Sequence, residues 1–239
     1  MITVLVDGDI VAYRCAASCM SKGVTNAPPE IAQLRVNELM YRIIQETEAT
    51  KYKVYIGGED NFRKQIYPAY KANRKDTVKP EHLECCREQL VVEWGAEVVN
   101  GMETDDRLGI LQSSGAGDTI IASIDKDLLM IPGRHYNFVK NEFYDVNALD
   151  GIRHFWFQMI MGDRSDNIPG YDGVMRITVP KFLKPVVDSL LELEDEAAME
   201  AFVKDLYTDK DQFEINKDLI YILQSETEHP DYLSTLGGN

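Results

Sequence analysis

A chain of 239 residues that is 44% apolar is long enough to bury a full core, which excludes a disordered polypeptide and points to one globular domain with a small helical extension. Its longest apolar runs, Ile2 to Val6 and Thr119 to Ile124, are too short to span a bilayer, and the N-terminus lacks the basic, apolar and small-residue pattern of a secretory signal; a soluble cytoplasmic protein with no membrane partner is expected. The formal charge of −15 speaks at first against nucleic acid, whose binders usually carry a basic footprint.

Taken in chain order, Met1 to Val6 is a β-branched run that reads as a buried strand delivering Asp7 at its carboxyl end. Ile31 to Glu48 has apolar residues at helical spacing, Lys53 to Ile56 alternates like a second strand, and Gly57-Gly58 breaks it. Glu81 to Val92 reads as helix, Ala96 to Val99 as extended chain, Asp105 to Gln112 as helix, and Thr119 to Ile124 as a strand running into Asp125 and Asp127. Beyond Val146 no strand is expected, while Leu190 to Leu206 and Asp218 to Ser225 read as helices and Gly237 to Asn239 as a frayed end. Alternating strands and helices predict an α/β fold with a mostly parallel sheet over 1–150, followed by a helical C-terminal subdomain over 151–239.

Ligands of an open parallel sheet collect outside the carboxyl ends of its strands. Asp7 and the pair Asp125/Asp127 are expected there, with residues two apart on a strand facing the same side. Glu103, Asp105 and Asp106 open a helix, whose N-terminus tolerates negative charge. Asp163 and Asp166 are three apart, on one face if helical, ahead of the turn Asn167-Ile168-Pro169-Gly170. Each acid alone also suits a helix cap or a turn. Together, eight carboxylates in one place would repel one another without cations among them, and an all-oxygen set suits Mg²⁺ or Mn²⁺.

Charge is distributed unevenly. Residues 186–214 hold ten acids against Lys204 and Lys210, a local −8, and the eight clustered carboxylates hold another −8 of the −15, so the remainder is not acidic. Phe62 to Lys79 carries Arg63, Lys64, Lys71, Arg74, Lys75 and Lys79 against Asp76, a candidate phosphate track or, equally, a solvated face. The four cysteines, Cys15, Cys19, Cys85 and Cys86, match neither a disulfide framework nor a zinc pattern.

Val6-Asp7-Gly8, Phe62-Arg63 leading to Tyr67-Pro68-Ala69-Tyr70-Lys71-Ala72-Asn73-Arg74, Glu103-Thr104-Asp105-Asp106, Asp125-Lys126-Asp127, and Gly162-Asp163 to Gly170 occur in the order found in 5′-nucleases. The chain resembles the superfamily of flap endonucleases and the DNA polymerase I 5′-exonuclease domain, and within it the bacteriophage 5′-exonucleases, from Ile2 to about Phe182. The resemblance implies a PIN-like sheet, a clamp or arch over 60–93, and a helix-hairpin-helix-like segment over 162–184. It implies a first metal site from Asp7, Glu103, Asp105 and Asp106, and a second from Asp125, Asp127, Asp163 and Asp166. Two Mg²⁺ or Mn²⁺ ions would then assist phosphodiester hydrolysis, with Asp105 and Asp125 essential to it. Lys71 and Arg74 would contact the scissile phosphate, Tyr70 would stack on a base, and Arg63, Lys64 and Lys75 would extend the DNA contact. The implied partners are branched, nicked or 5′-ended duplex DNA, RNA–DNA hybrids at primers, and replication proteins. The implied location is the cytoplasm, the host's if a phage encodes the chain.

Two departures from the family pattern stand out. An acid follows the second strand in the family, whereas Gly57-Gly58 occupies that place here; Glu59 or Asp60 are the nearest substitutes. After Gly170 the glycine-rich turn that grips duplex phosphates, often with K⁺, is altered: Met175 stands where a glycine is expected, and Pro180 would fit only the first turn of a helix. Two rival readings stay open: a PIN-type endoribonuclease, which shares carboxylate chemistry in an α/β sheet, and a catalytically silent binder of branched DNA, in which the change at Gly58 and the altered hairpin have cost activity.

Overall fold

The structure, a computed structural model, describes residues 1–21, 23–75 and 77–229. Asp76 and the expected frayed end Gly237 to Asn239 lie outside the described residues. The chain forms two compact units, one of residues Met1–Asn61, Val78–Val146 and 223–229, the other of Phe62–Thr77 and Asn147–Ile222.

In the first unit β1 (Ile2–Asp7) leads directly into α1 (Gly8–Ser18). A small hairpin of β2 (Met20–Ser21) and β3 (Val24–Thr25) precedes α2 (Pro29–Glu46). β4 (Lys51–Gly57) is separated by residues of the second unit from α4 (Leu83–Trp94), β5 (Glu97–Val99), α5 (Thr104–Ser113) and β6 (Asp118–Ala122). β7 (Gly133–Asn137) and β8 (Glu142–Val146) close the sheet. Its strand order is β5-β4-β1-β6-β7-β8, parallel throughout except for the antiparallel β7–β8 pair. β1 lies at the centre because Val4, Leu5 and Val6 are buried on both faces, the signature of a parallel strand covered by helices on each side. Val4, Val6, Val54, Ile56, Ile120 and Ala122 pack with Val11, Ala12, Val36, Met40 and Leu90 of α1, α2 and α4. Each fully buried aliphatic side chain contributes about 1.5–3 kcal/mol. α5 packs against β1, β4 and β6. β4 and β5 are added on one side of β1 and β6 on the other, so the strand order reverses at β1, and its carboxyl end is the crevice where this architecture holds ligands.

In the second unit the short α3 (Phe62–Ile66) packs against α9 (Lys210–Ile220), and α6 (Ala148–Met161) packs against α7 (Lys184–Leu191), α8 (Glu196–Leu206) and α9. The Asn147 side chain caps α6 by accepting from Asp150 N at 2.8 Å. Two-residue strands β9 (Gly162–Asp163) and β10 (Ile168–Pro169) pair antiparallel.

The α/β class and the parallel sheet agree with expectation. Several details do not. The expected helix over Leu190 to Leu206 is two helices, because Asp195 turns its carboxylate onto Ala198 N at 2.8 Å and starts α8 afresh. The expected helix over Asp218 to Ser225 is the end of α9; Asp209 caps that helix and the chain leaves it at Tyr221. Strands beyond Val146 do occur, as β9 and β10. Residues 62–77, expected within a clamp over 60–93, form α3 and a 3₁₀ turn at Ala72–Arg74 packed in the second unit, and the turn-rich segment 162–183 separates α6 from α7. It is Pro185, not Pro180, that sits in the first turn of α7.

Candidate metal centre

Asp7 is the last residue of β1 and the N-cap of α1, and both roles follow from the abrupt strand-to-helix junction at Gly8. Its Oδ1 accepts from Ile10 N at 3.1 Å and its Oδ2 from Ser123 Oγ at 2.7 Å. Both donors are neutral, and the side chain is only 2% exposed. Burial pushes the Asp7 carboxyl up to about 7, opposed by the Ser123 and Ile10 hydrogen bonds and reinforced by the charges of Asp9 and Asp125. A buried carboxylate with neutral donors and two acidic neighbours is an arrangement that a hard divalent cation relieves.

Asp125 follows β6 rather than ending it. Ser123 Oγ accepts from Asp125 N at 3.0 Å while donating to Asp7, so one hydroxyl ties the two acids to a common point. Asp125 Oδ1 in turn accepts from Asp127 N at 3.0 Å, and Asp127 opens a 3₁₀ turn. The strand alternation expected for this pair is therefore replaced by a side-chain-capped turn, although Asp125 and Asp127 are half-buried and Lys126 is exposed.

Glu103 is the N-cap of α5, in a capping box with Asp106. Glu103 Oε1 accepts from Asn61 Nδ2 at 2.6 Å, and Asp105, in the first turn, is half-buried. Asp106 is fully buried, and its oxygens accept from two backbone amides, Glu103 N at 2.9 Å and Leu223 N at 3.0 Å. Its carboxylate thereby ties the helix start to the segment at Leu223.

In the second unit Asp163 and Asp166 present oxygens within 4.8 Å of one another. They lie at a turn and not on a helix; Asp163 Oδ1 accepts from Ser165 N and Oγ, each at 2.6 Å, and shapes the turn that presents Asp166. The basic segment docks along this turn. Lys71 N donates to Asp166 O at 2.9 Å, Asn73 Nδ2 to Arg164 O at 2.8 Å, and Asn167 Nδ2 to Ala69 O at 2.8 Å. Lys71 takes a left-handed φ of 55°, uncommon for a residue with a side chain. Its Nζ lies 3.4 Å from Asp166 Oδ2, and the Arg74 guanidinium pairs with Oδ1 of the same carboxylate. Two cations thus converge on one anionic group.

Three expectations in this segment separate by burial. Lys64, Arg74 and Lys75 are exposed. Tyr70 is 4% exposed and donates its hydroxyl to Asp166 Oδ2 at 2.9 Å, so its ring offers no face to a nucleobase. Arg63 is 2% exposed, with Nε donating to Leu219 O at 2.9 Å and Nη2 to Tyr221 O. It is a strut between α3 and the end of α9 rather than a phosphate ligand. Replacing it with Met leaves buried carbonyls without their donors, and a loss of roughly 2–4 kcal/mol in urea unfolding is expected; reduced DNA affinity at unchanged stability would refute the strut assignment.

Sequence reading passed over three residues of this region: Asp9, Arg87 and Ser123. Ser123 carried a signal, a hydroxyl two residues before an acid at a strand end, which suits a side-chain-capped turn. Arg87 carried none, because it reaches the site from mid-helix in α4. Among the described residues no helix is long and apolar enough to cross a membrane.

The chain spans between about a fifth and about half of the length of the curated relatives it matches. It is 30% identical over 260 residues to DNA polymerase I of Bacillus subtilis (strain 168), covering 98% of this chain and 29% of that protein. It is 29% identical over 145 residues to flap endonuclease Xni of Shewanella baltica (strain OS185), covering 55% of each. Among solved structures it shares its fold with the T5 5′-exonuclease bound to zinc, at a TM-score of 0.68, 18% identity and coverage of 100% of this chain and 94% of that one. A bacteriophage T5 flap endonuclease in a complex with DNA and metal ions gives a TM-score of 0.70 at 16% identity, with the same coverage. Residues 2–153, most of the chain, match the family described as 5′-3′ exonuclease, N-terminal resolvase-like domain, and the chain belongs to that family.

Proposed function

We propose that this chain is a divalent-metal-dependent 5′-nuclease, acting as a 5′-3′ exonuclease and flap endonuclease on DNA. The observation that carries the proposal is Asp7, a buried carboxylate with neutral donors and the charges of Asp9 and Asp125 beside it. Family membership and relatives named as flap endonucleases support the same reading. Asp7 and Asp125 would hold the ion, with Glu103 and Asp105 at the start of α5 as further oxygen donors; Mg²⁺ or Mn²⁺ suits that set. When bound, such ions supply a hydroxide at neutral pH and Lewis acidity toward phosphate oxygens, and a pair of them is the arrangement we favour. Ser123 links the Asp7 carboxylate to the backbone of Asp125. Lys71 and Arg74 are the cations we assign to the scissile phosphate: their side chains already meet at one anionic group, Asp166, and a phosphate presents the same kind of oxygen pair. Asp163, Asp166 and Asp127 remain proposed acidic contributors, and Lys64 and Lys75 proposed backbone contacts.

The test is a denaturing-gel time course on 5′-flap, nicked, RNA-primed and single-stranded substrates, DNA and matched RNA, with Mg²⁺, Mn²⁺ or chelator. Metal-dependent cuts at the 5′ end or the flap junction of DNA, absent in Asp125→Asn, are expected. Preference for RNA would move the chain to the PIN-type ribonucleases, and tight binding of branched DNA without any cut would make it a silent binder.

A further inference from the structure

β4 ends on Gly57, Gly58 follows it, and neither brings an acid to the crevice beside Asp7. Gly58 has no room for one: a Cβ there would lie 2.1 Å from Asn100 Oδ1 and 2.7 Å from Val99 O, the carbonyl that accepts the Gly58 amide at 2.7 Å. At Gly57 an added Cβ would lie 3.1 Å from Asp9 Oδ2. The carboxylate of Asp9 therefore stands beside the end of β4, although Asp9 itself belongs to the first turn of α1.

Three elements hold it there. Asp9 Oδ2 accepts from Gly57 N at 2.7 Å and from Thr104 Oγ1 at 2.7 Å, and Oδ1 pairs with Arg87 Nη1, whose Nη2 donates to Gly57 O. The ordinary explanation of an acid in the first turn of a helix is interaction with that helix's own amides. Asp9 instead turns its oxygens to β4, α4 and α5, and the side chain keeps 37% of its surface open. Arg87 also offsets the repulsion between Asp9 and Asp7, which lets two acids share this end of the sheet in the metal-free protein.

We propose that Asp9 is a positioning carboxylate of the divalent-metal centre, fixed by Arg87, Gly57 and Thr104 and supplying beside Asp7 the negative charge that the end of β4 lacks. The inference rests on the metal-dependent nuclease reading above. Arg87 is then the residue that sets the orientation of this carboxylate, and Thr104 fixes its second oxygen.

Mn²⁺ binding to the full chain, followed by electron paramagnetic resonance titration, tests it apart from activity. Asp9→Asn keeps an oxygen for Gly57 N and Thr104 Oγ1 but removes the charge. Its Mn²⁺ affinity should fall roughly 10- to 100-fold, with the Mn²⁺ midpoint for cleavage shifting by the same factor and the rate recovering as metal is raised. Thr104→Val, which removes one hydrogen bond at nearly constant volume, should shift both midpoints in the same direction by less. Wild-type Mn²⁺ affinity in both variants overturns the role of Asp9 while leaving the metal centre standing. A wild-type chain that binds no Mn²⁺ overturns both.

Discussion

Asp7→Asn is expected to lower cleavage by roughly 10³-fold and, in the same protein without metal, to raise the melting temperature at pH 8. The two effects have one cause. Asp7 titrates at about 7 in the folded chain against an ordinary value of 3.8, so between those values the native state holds a proton that the unfolded chain has released. Stability from this group is then fully present below about pH 4 and is lost as pH rises through about 7, a decline of up to about 4 kcal/mol. Asparagine removes the ionisation and keeps the N-cap to Ile10 N, since Asn caps as well as Asp. Metal-free Asp7→Asn should therefore melt several degrees above wild type at pH 8, at about 2–4 °C per kcal/mol for a chain of this size, and near wild type at pH 4. Added Mn²⁺ should raise the wild-type melting temperature at pH 8 and narrow the gap. Equal melting temperatures at pH 8 without metal would mean that Asp7 is not held in a destabilised ionised state.

Which strand ends carry acids was legible because it depends on local pattern: a β-branched run ending in Asp7, and an apolar strand followed at once by Ser123 and Asp125. The central sheet followed, since its strands are buried on both faces and their apolar runs are unmistakable. The β7–β8 hairpin was not legible: Arg134, His135, Tyr136 and Asn137 carry no apolar run, and their strand character comes from pairing with Glu142 to Val146 and from burial of Tyr136. The break before Asp195 was hidden in an acidic stretch where a cap and a solvated helix face use the same residue type. The backbone contacts of Asp106 and Arg63 were hidden for a related reason. A carboxylate or guanidinium that satisfies buried backbone groups looks, in sequence, like one that binds a ligand; only Leu223 N and the carbonyls of Leu219 and Tyr221, all distant in the chain, reveal the difference. Asp9 is the converse case, an acid with no distinguishing signal in the sequence, whose partners Gly57, Thr104 and Arg87 are all distant in the chain.

Gly8→Ala is the second substitution with a large expected effect, and it acts through packing. Gly8 begins α1 with β4 pressed against it: a Cβ would lie 2.6 Å from Tyr55 O, 2.6 Å from Ile56 Cγ2 and 3.1 Å from Val54 Cγ1. The Ile56 methyl can rotate, but the Tyr55 carbonyl belongs to a strand paired on both sides, opposite Asp7 in β1 and Glu97 in β5. Helix α1 must move instead. Alanine's higher helix propensity returns about 1 kcal/mol, while overpacking against fixed backbone costs up to about 3 kcal/mol or more. A net loss of about 2 kcal/mol, a fall of roughly 4–8 °C in melting temperature, is expected. Because Asp7 caps α1 and Asp9 lies in its first turn, a shift of about 1 Å also displaces both acids, and cleavage should fall by about 10²-fold at a temperature where the variant is folded. A variant that melts and cleaves like wild type would show that α1 and β4 have slack at their closest approach, and that Gly8 is not what sets the position of the two acids.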